Sequence, residues 1–267
     1  MPDDPFAALK DVHRAMWATF APMATFTSPP AANLARFAGI APGEAVLDVG
    51  TGAGVVAITA ARAGARVSAI DLTPQMVTAA KENARIAGIS GIDFLEGDAE
   101  RLPYPDASFD VVVSQFGHMF APQPERAIAE MRRVLKPSGR VAFSTWPPDR
   151  LVGQTFVLVG RNSPPLPPGA RPPVSWGDET VVSERLAEGF ENPTFERGIM
   201  NVPALSIAHY REFMERNVGP LTRLVGNLSA SPEQLAAFRR EFDAIIEPYY
   251  SGNIVQQEYL MTRASAR

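Results

Sequence analysis

The 267-residue chain contains no cysteine. Disulfides, thiolate metal sites and a covalent cysteine nucleophile are therefore excluded, and the composition agrees with a reducing interior without requiring one. Histidine is scarce as well: His13, His118 and His209 are the whole supply of imidazole. An excess of positive charge is also missing, since 25 Lys and Arg against 29 Asp and Glu leave a net charge of −4, which gives no footprint for nucleic-acid phosphates. The pairs Arg132-Arg133 and Arg239-Arg240 fall on the polar side of helical patterns, as solvated faces do. No uninterrupted apolar run approaches the ~20 residues of a membrane span. The N-terminus, Met1-Pro2-Asp3-Asp4-Pro5, has neither the basic nor the apolar region of a secretory leader. These absences lead to the expectation of a cytoplasmic protein with a small-molecule partner, no nucleic acid, no membrane insertion and no metal. They say nothing about oligomeric state.

What is present is 46% hydrophobic residues, enough for a sizeable core, and one segment that points to chemistry. In Val46-Leu47-Asp48-Val49-Gly50-Thr51-Gly52-Ala53-Gly54 an apolar strand runs into a G-x-G-x-G turn. Glycines at 50, 52 and 54 clear side chains from the turn, so its backbone can take positive φ and approach a nucleotide-like ligand. The dinucleotide fingerprint G-x-G-x-x-G would want its third glycine at position 55, which is Val55.

From 44 to 146 short β-branched runs alternate with helical segments, the pattern of a parallel sheet covered on both faces. The runs are Ala45 to Val49, Val67 to Asp71, Ile92 to Leu95, Phe109 to Ser114 and Val141 to Trp146. Thr73 is placed to cap a helix with Pro74 at its first position, and Lys136-Pro137-Ser138-Gly139 stops another. Upstream, Phe6, Leu9, Val12, Met16, Trp17 and Phe20 make an amphipathic stripe, a lid or a packing helix. Downstream the spacing predicts a helix over 150 to 161, an exposed proline-rich loop over 163 to 173, and helices opened by Ser206 and by a Ser231-Pro232-Glu233-Gln234 capping box. Phe195 to Pro203 and Ile254 to Met261 read as strands, bringing the sheet to seven. The fold expected is α/β: a Rossmann-like, seven-stranded, mostly parallel sheet with helices on both faces, an N-terminal helical lid and a helical insertion after strand 5. It is read as one domain over 1–267, with an N-terminal helical segment (1–40), a cofactor-binding core (41–147) and a substrate-side insertion with the last strands (148–267).

Asp48, Asp71 and Asp98 sit at or just beyond the C-terminal ends of three successive strands, where open α/β sheets form their ligand crevice. Asp71 follows Gly54 by 17 residues, a position suited to a carboxylate that accepts from both ribose hydroxyls. A cap or solvated strand end is the plainer reading for any one of these aspartates alone.

The arrangement resembles the class I S-adenosylmethionine-dependent methyltransferases, in particular the small-molecule branch that includes ubiquinone and menaquinone biosynthesis methyltransferases. The resemblance covers about residues 40 to 147. It rests on the strand and glycine turn of 46–54 and on Ala69-Ile70-Asp71-Leu72-Thr73-Pro74-Gln75-Met76. Gly97-Asp98-Ala99-Glu100-Arg101-Leu102-Pro103-Tyr104, Phe109-Asp110-Val111-Val112 and Glu130-Met131-Arg132-Arg133-Val134-Leu135-Lys136-Pro137 complete it. Ser138 departs from the family's usual glycine, in a turn that carries no chemistry.

The resemblance implies a cofactor, S-adenosyl-L-methionine, and roles for residues of this chain. Asp48 and the backbone of Gly50, Thr51, Gly52 and Gly54 would hold the methionine portion, and Asp71 the ribose. Leu72 and Met76 would pack on adenine, with helix core the other reading for Met76. Asp98 would accept from the adenine amino group, the Ala99 amide would donate to a ring nitrogen, and Ser114 and Gln115 would line the methionine side. Of the histidines, His118 is best placed for a general base, in a loop after the fourth strand; its other reading is a histidine that orders that loop through a hydrogen bond. His13 reaches the acceptor only if the lid closes, and His209 reads as structural. Phe116, Met119, Phe120, Trp146, Trp176, Trp17 and Phe20 suggest an apolar acceptor pocket.

The expected reaction is methyl transfer to oxygen, carbon or nitrogen of a small, partly apolar acceptor by in-line displacement. The fourth strand lacks the Asn-Pro-Pro-Tyr type motif of base-methylating DNA enzymes, and the missing cysteine excludes arsenite-type thiol chemistry. Two other readings stay open at this point: an S-adenosylmethionine-binding protein without transferase activity, and an NAD-dependent oxidoreductase.

Overall fold

The computed structural model describes residues 4–267; Met1, Pro2 and Asp3, part of the N-terminal stretch read above for a leader, lie outside them. Two helices come first, α1 (Ala7–Trp17) and α2 (Ala24–Phe37). Pro29 and Pro30 inside α2 argue against a helix by propensity, yet burial of Ala31, Leu34 and Ala35 overrides them.

The five β-branched runs become β1 (Ala45–Val49), β2 (Arg66–Asp71), β3 (Asp93–Glu96), β4 (Phe109–Gln115) and β5 (Leu135–Thr145), paired in parallel. Their centres are continuous apolar runs such as Val111-Val112-Val113 because both faces are covered. The covering helices of this half are α2, α3 (Val55–Arg62), α4 (Pro74–Ile86) and α5 (Pro124–Val134). The helix ends earlier than expected: α5 stops at Val134 and residues 136 to 139 lie within β5, which begins at Leu135 with a register shift against β4 between Phe109 and Val111.

The chain continues through α6 (Leu151–Arg161) and α7 (Glu179–Leu186) to the long strand β6 (Phe190–Pro203). After it come α8 (Ile207–Asn217), α9 (Gly219–Leu228), α10 (Pro232–Ile246), the two-residue β7 (Tyr250–Ser251) and β8 (Ile254–Ala266). The helical insertion is thus divided, part after β5 and the larger part after β6. The sheet order is β3-β2-β1-β4-β5-β8-β6 with β7 paired to β8, and β8 runs antiparallel to its three partners. The expected seven strands are therefore eight. The extra one arises because Gly252 and Asn253, with φ of 58° and 62°, make a tight hairpin turn that folds residues 250 and 251 back on β8. Two residues are too few to show an alternation in sequence.

Two capping expectations change. Thr73 and Ser231 stand at the N-caps of α4 and α10, but neither side chain accepts a capping bond. Pro74 and Pro232 fix the first turns instead. Ser206 does cap α8, accepting from the His209 amide at 3.1 Å. Among the described residues no helix is long and apolar enough to cross a membrane.

Candidate active site

The strand order reverses direction between β1 and β4, and the crevice expected beyond the carboxyl ends of such strands is there. Two loops meet across it. Gly50, at φ 68°, lies against Gly117 of the loop after β4 so closely that a Cβ on Gly50 would stand 2.8 Å from the Gly117 Cα. Gly52, at φ 53°, has no atom within 4 Å of where its Cβ would be, because it faces the open cavity. Gly54 has a different task from the one expected. Its Cβ would meet the Ala80 Cβ at 3.0 Å, so it lets α3 and α4 approach, and it does not line the cavity.

Asp48 is buried at the end of β1, where its Oδ2 accepts from Thr51 Oγ1 at 2.6 Å and from the Ala57 amide at 3.1 Å. Its Oδ1 has no partner. Burial pushes this carboxyl up to about 7 despite those two bonds. Asp71 ends β2 with each oxygen holding one backbone donor, Gly52 N at 2.7 Å and Thr73 N at 2.8 Å. Burial raises this carboxyl also. A carboxylate oxygen has two lone pairs, so each keeps one for a ligand hydroxyl. Leu72, buried Met76, Asp98 and Ala99 continue the same wall.

Over that wall lies α1, which is a lid and not distant packing. Lys10, in the polar side of its stripe, reaches down to Asp4 at 2.8 Å, Asp98 at 2.6 Å and Glu100 at 2.6 Å. These carboxylates hold the ammonium pKa above the ordinary lysine range, against the opposing and largest effect of burial. Asp98, assigned to the adenine side, is therefore also the lid's catch. At the other end of the helix Trp17 packs on Phe120, ring centroids 4.6 Å apart, and the Met16 backbone sits where a Cβ on Gly219 of α9 would be. His13 lines the cavity between these fixings, its pKa lowered to about 4 by burial and by the nearby charges of Arg223 and Lys10.

At the end of β4, Gln115 lines the cavity with its Nε2 donating to the Thr27 carbonyl at 2.9 Å and its buried Oε1 unpaired. Ser114 does not line it. Its hydroxyl donates to the Val49 carbonyl at 2.6 Å and accepts from the His118 amide at 3.1 Å, tying the β4 loop to the end of β1. His118 is a correction of another kind. The ring borders the cavity but is buried between Phe143 and Trp176, centroids at 4.6 Å and 4.5 Å, and neither ring nitrogen has a hydrogen-bond partner. Burial in this aromatic nest, with Arg185 nearby, lowers its pKa to about 3. An imidazole so weakened is poorly matched to taking a proton at neutral pH. His209 accepts from the Leu205 amide at the start of α8, as a structural residue does.

The remaining wall belongs to elements the motifs never touched. Phe20, Phe116, Phe120, Trp146 and Trp17 line the cavity as expected, whereas Met119 and Trp176 are fully buried behind it. They are joined by Val152 and Phe156 of α6, Met214 of α8, Leu221 of α9 and Phe242 of α10. Sequence reasoning missed these, as it missed Lys10: each reads as ordinary helix core or helix surface, with nothing to separate a cavity wall from packing.

The two unpaired buried acceptors, Asp48 Oδ1 and Gln115 Oε1, with the uncluttered Gly52, fit a ligand that brings amino and hydroxyl donors to this end of the sheet. S-adenosylmethionine has those donors.

Comparison with known proteins agrees. Residues 47–143 match the model of the family described as Methyltransferase domain. An uncharacterized protein of Mycobacterium tuberculosis, Rv1403c, is 33% identical over 256 residues, covering 94% of this chain and 93% of its own. A demethylmenaquinone methyltransferase of Deinococcus radiodurans is 45% identical over 117 residues, 42% of this chain and 48% of its own. Among solved structures, BH2331 of Bacillus halodurans C-125 shares the fold with a TM-score of 0.62 at 20% identity, covering 88% of this chain and 97% of that one. The chain belongs to the family of these proteins and is a class I S-adenosylmethionine-dependent methyltransferase.

Proposed function

We propose that this methyltransferase, acting as one unit over the described chain, methylates a small, partly apolar molecule at an oxygen, nitrogen or carbon atom. The observation that carries this reading is the shared cavity. The polar cradle of Asp48, Gly52, Asp71 and Asp98 opens directly on a chamber walled by Phe20, Phe120, Val152, Phe156, Met214 and Phe242. An apolar acceptor gains by leaving water for such a chamber, at about 25 cal/mol per Å² of surface covered.

When bound, S-adenosylmethionine supplies the activated methyl group. The chain's own contribution is placement. Asp48 and Gln115 offer acceptors to the amino-acid end, Asp71 to the ribose hydroxyls, and Asp98 to the adenine edge. Leu72 and Met76 flank the base, and the α1 lid with Trp17 and Phe120 shuts out water. Holding an acceptor atom in line can lower the barrier by about 7–11 kcal/mol in favourable cases, without any side chain reacting. Both cavity histidines are weaker bases than free imidazole, His13 at about 4 and His118 at about 3. The reading is thus of catalysis by position, with the acceptor using a lone pair or an anion it already carries. His118 then serves to fill the aromatic nest under the β4 loop.

The test is formation of S-adenosylhomocysteine, followed by mass spectrometry, with a panel of phenols, quinols, amines and carboxylic acids. Turnover with apolar phenols or amines above the acceptor-free blank is expected. Turnover confined to highly charged acceptors, or to none while the cofactor binds, would overturn it.

A further inference from the structure

The acceptor chamber has one polar feature that no helix end or loop requires. Gln257 lies on β8 opposite Met200 of β6, in the part of the β6–β8 pair beyond Leu260, the last β8 residue paired with β5. Its neighbours on the same face of the strand, Val255 and Tyr259, are buried, as Gln257 itself is, at 3% exposure. On the opposite face Gln256 is exposed. Tyr210 of α8, also 3% exposed, meets it: Gln257 Nε2 donates to Tyr210 Oη at 2.5 Å. Both side chains line the cavity.

This bond does not use up what the two groups bring. With the amide donating to the phenol oxygen, the Tyr210 hydroxyl proton, the second amide hydrogen and the Gln257 carbonyl are left over. With the amide turned over, so that the phenol donates to the carbonyl, the amide hydrogens and a phenol lone pair are left over. Either way at least one donor and one acceptor remain at a single point, and among the described residues neither side chain makes another hydrogen bond. Buried polar groups are kept at a cost unless something pairs with them. A packing role alone would be better filled by Met and Phe, whose shapes are close.

The charges decide what the partner is. Among the described residues lining the cavity, the ions are Lys10, Asp48, Asp71 and Asp98, all on the lid or at the ends of β1 to β3, with Lys10 held by three carboxylates. The lining residues from α6, α8, α9, α10, β6 and β8 include no charged side chain. Tyr210 stays a neutral phenol there, because burial raises its pKa. A carboxylate or ammonium brought to this end would lose its water and find no counter-charge.

We infer that the Gln257–Tyr210 pair anchors the methyl acceptor, taking a neutral and largely apolar molecule by one uncharged group, a hydroxyl, that both donates and accepts a hydrogen bond. The inference rests on the methyltransferase reading for what happens next, but its test does not. Calorimetric titration with 4-propylphenol, propylbenzene and 4-propylbenzoate, of the protein alone and with S-adenosylhomocysteine, compares the three end groups on one scaffold. The phenol should bind about tenfold more tightly than either of the others, the range of one or two net hydrogen bonds. Tyr210→Phe and Gln257→Met should each remove most of that preference, leave propylbenzene binding within about twofold, and keep the wild-type melting temperature within a few degrees. Equal binding of phenol and hydrocarbon, tightest binding of the benzoate, or a preference that survives both variants would overturn the anchor. If Gln257→Met does not fold, Tyr210→Phe, which removes a single oxygen, decides. Should S-adenosylhomocysteine fail to bind while the phenol preference holds, the cofactor reading falls and the anchor stands; the reverse result sinks the anchor alone.

Discussion

Gly117→Ala is the perturbation that bears most directly on how the site is built, because two opposed effects meet there and their sizes differ. Gly117 has φ −88° and ψ −54°, a conformation open to any residue. By that measure alanine should stabilise by about 0.4–1 kcal/mol, through the entropy it removes from the unfolded chain. The new methyl, however, would stand 2.6 Å from the Gly50 carbonyl oxygen and 2.8 Å from the Gly50 Cα. Carbon atoms rest comfortably about 3.5–4.0 Å apart, so the loop after β4 and the glycine turn after β1 must separate by roughly 0.7–1 Å. Overpacking of that order costs about 1–3 kcal/mol. The clash wins, and a net loss of about 1–2 kcal/mol should lower the melting temperature by about 2–8 °C in a chain of this size. Because the two displaced loops carry Gly52 and adjoin Asp48 and Gln115 at the strand ends, turnover should fall much further than stability, by up to about 100-fold for a shift near 1 Å. Scanning calorimetry and single-turnover kinetics read the two effects. Gly160→Ala in α6 is the control: nothing lies within 4 Å of its Cβ position, so it should stabilise by about 0.5–1 kcal/mol. If Gly117→Ala melts and turns over like the wild type, or if Gly160→Ala is as damaging, the close approach of the two loops is not what holds the site.

Asp71→Ala should weaken S-adenosylhomocysteine binding by roughly 10- to 100-fold, the range of one or two charge-assisted hydrogen bonds, with the fold retained; unchanged affinity by calorimetry would place the ribose elsewhere. Asp48 couples binding to pH. Its carboxyl is raised from 3.8 to about 7, so the free protein's stability gains from its proton below pH 4 and loses that gain as pH rises toward 7. An ammonium group beside Oδ1 would expel the proton, so affinity for S-adenosylhomocysteine should rise by up to about tenfold per unit between pH 5 and 7. Titrations in buffers of different ionisation enthalpy should show up to one proton released near pH 6, and Asp48→Asn should abolish the release. Lys10→Met keeps most of the side chain's length and removes its charge. Breaking a buried pair costs about 3–5 kcal/mol, but Asp4 and Asp98 are 25% and 27% exposed, so about 2–3 kcal/mol is expected. Hydrogen exchange over residues 7–17 should then quicken by roughly 30- to 150-fold, and unaltered protection would show that the lid closes by its aromatic contacts alone.

The polar half of the cavity was legible because it is built of backbone and of short local motifs. A turn that must come close to its surroundings demands glycine, and a carboxylate at the crevice must end a strand, so positions 50, 52 and 71, proposed here to hold the cofactor, stand out in the sequence. Gly54 and Ser114 belong to the same motifs and are needed for them, but their work is one layer back. Gly54 lets α3 meet Ala80, and Ser114 joins β4 to β1. Spacing cannot tell a ligand contact from the brace behind it. His118 shows the same limit from another side: its place after β4 was right, yet whether its ring turns to the cavity centre or into the Phe143 and Trp176 nest depends on β5 and on a segment nearly 60 residues away in sequence. The acceptor half left almost no trace. Val152, Met214, Leu221 and Phe242 obey the same helical spacing as core residues, because lining a cavity and filling a core ask the same thing of a helix face.

That asymmetry has a physical root in where the charge lies. S-adenosylmethionine is charged and densely polar, and on the proposed reading the chain answers it with aspartates, a lysine catch and bare backbone, all supplied at the ends of β1 to β4 and by the lid. An apolar acceptor asks for the opposite, and the wall of α6, α8, α9 and α10 gives it uncharged side chains that any packed helix would carry. The lid joins the two halves. Lys10 grips Asp98 on the polar side while Trp17, two turns along, closes on Phe120 on the apolar side, so one helix spans the polar and apolar parts of the cavity. A helix fixed at both ends cannot admit the acceptor while staying shut over the cofactor. Exchange of either ligand is therefore expected to require release of the Lys10 contacts, which would tie the rate of turnover to Asp4, Asp98 and Glu100, of which Asp98 lines the cavity.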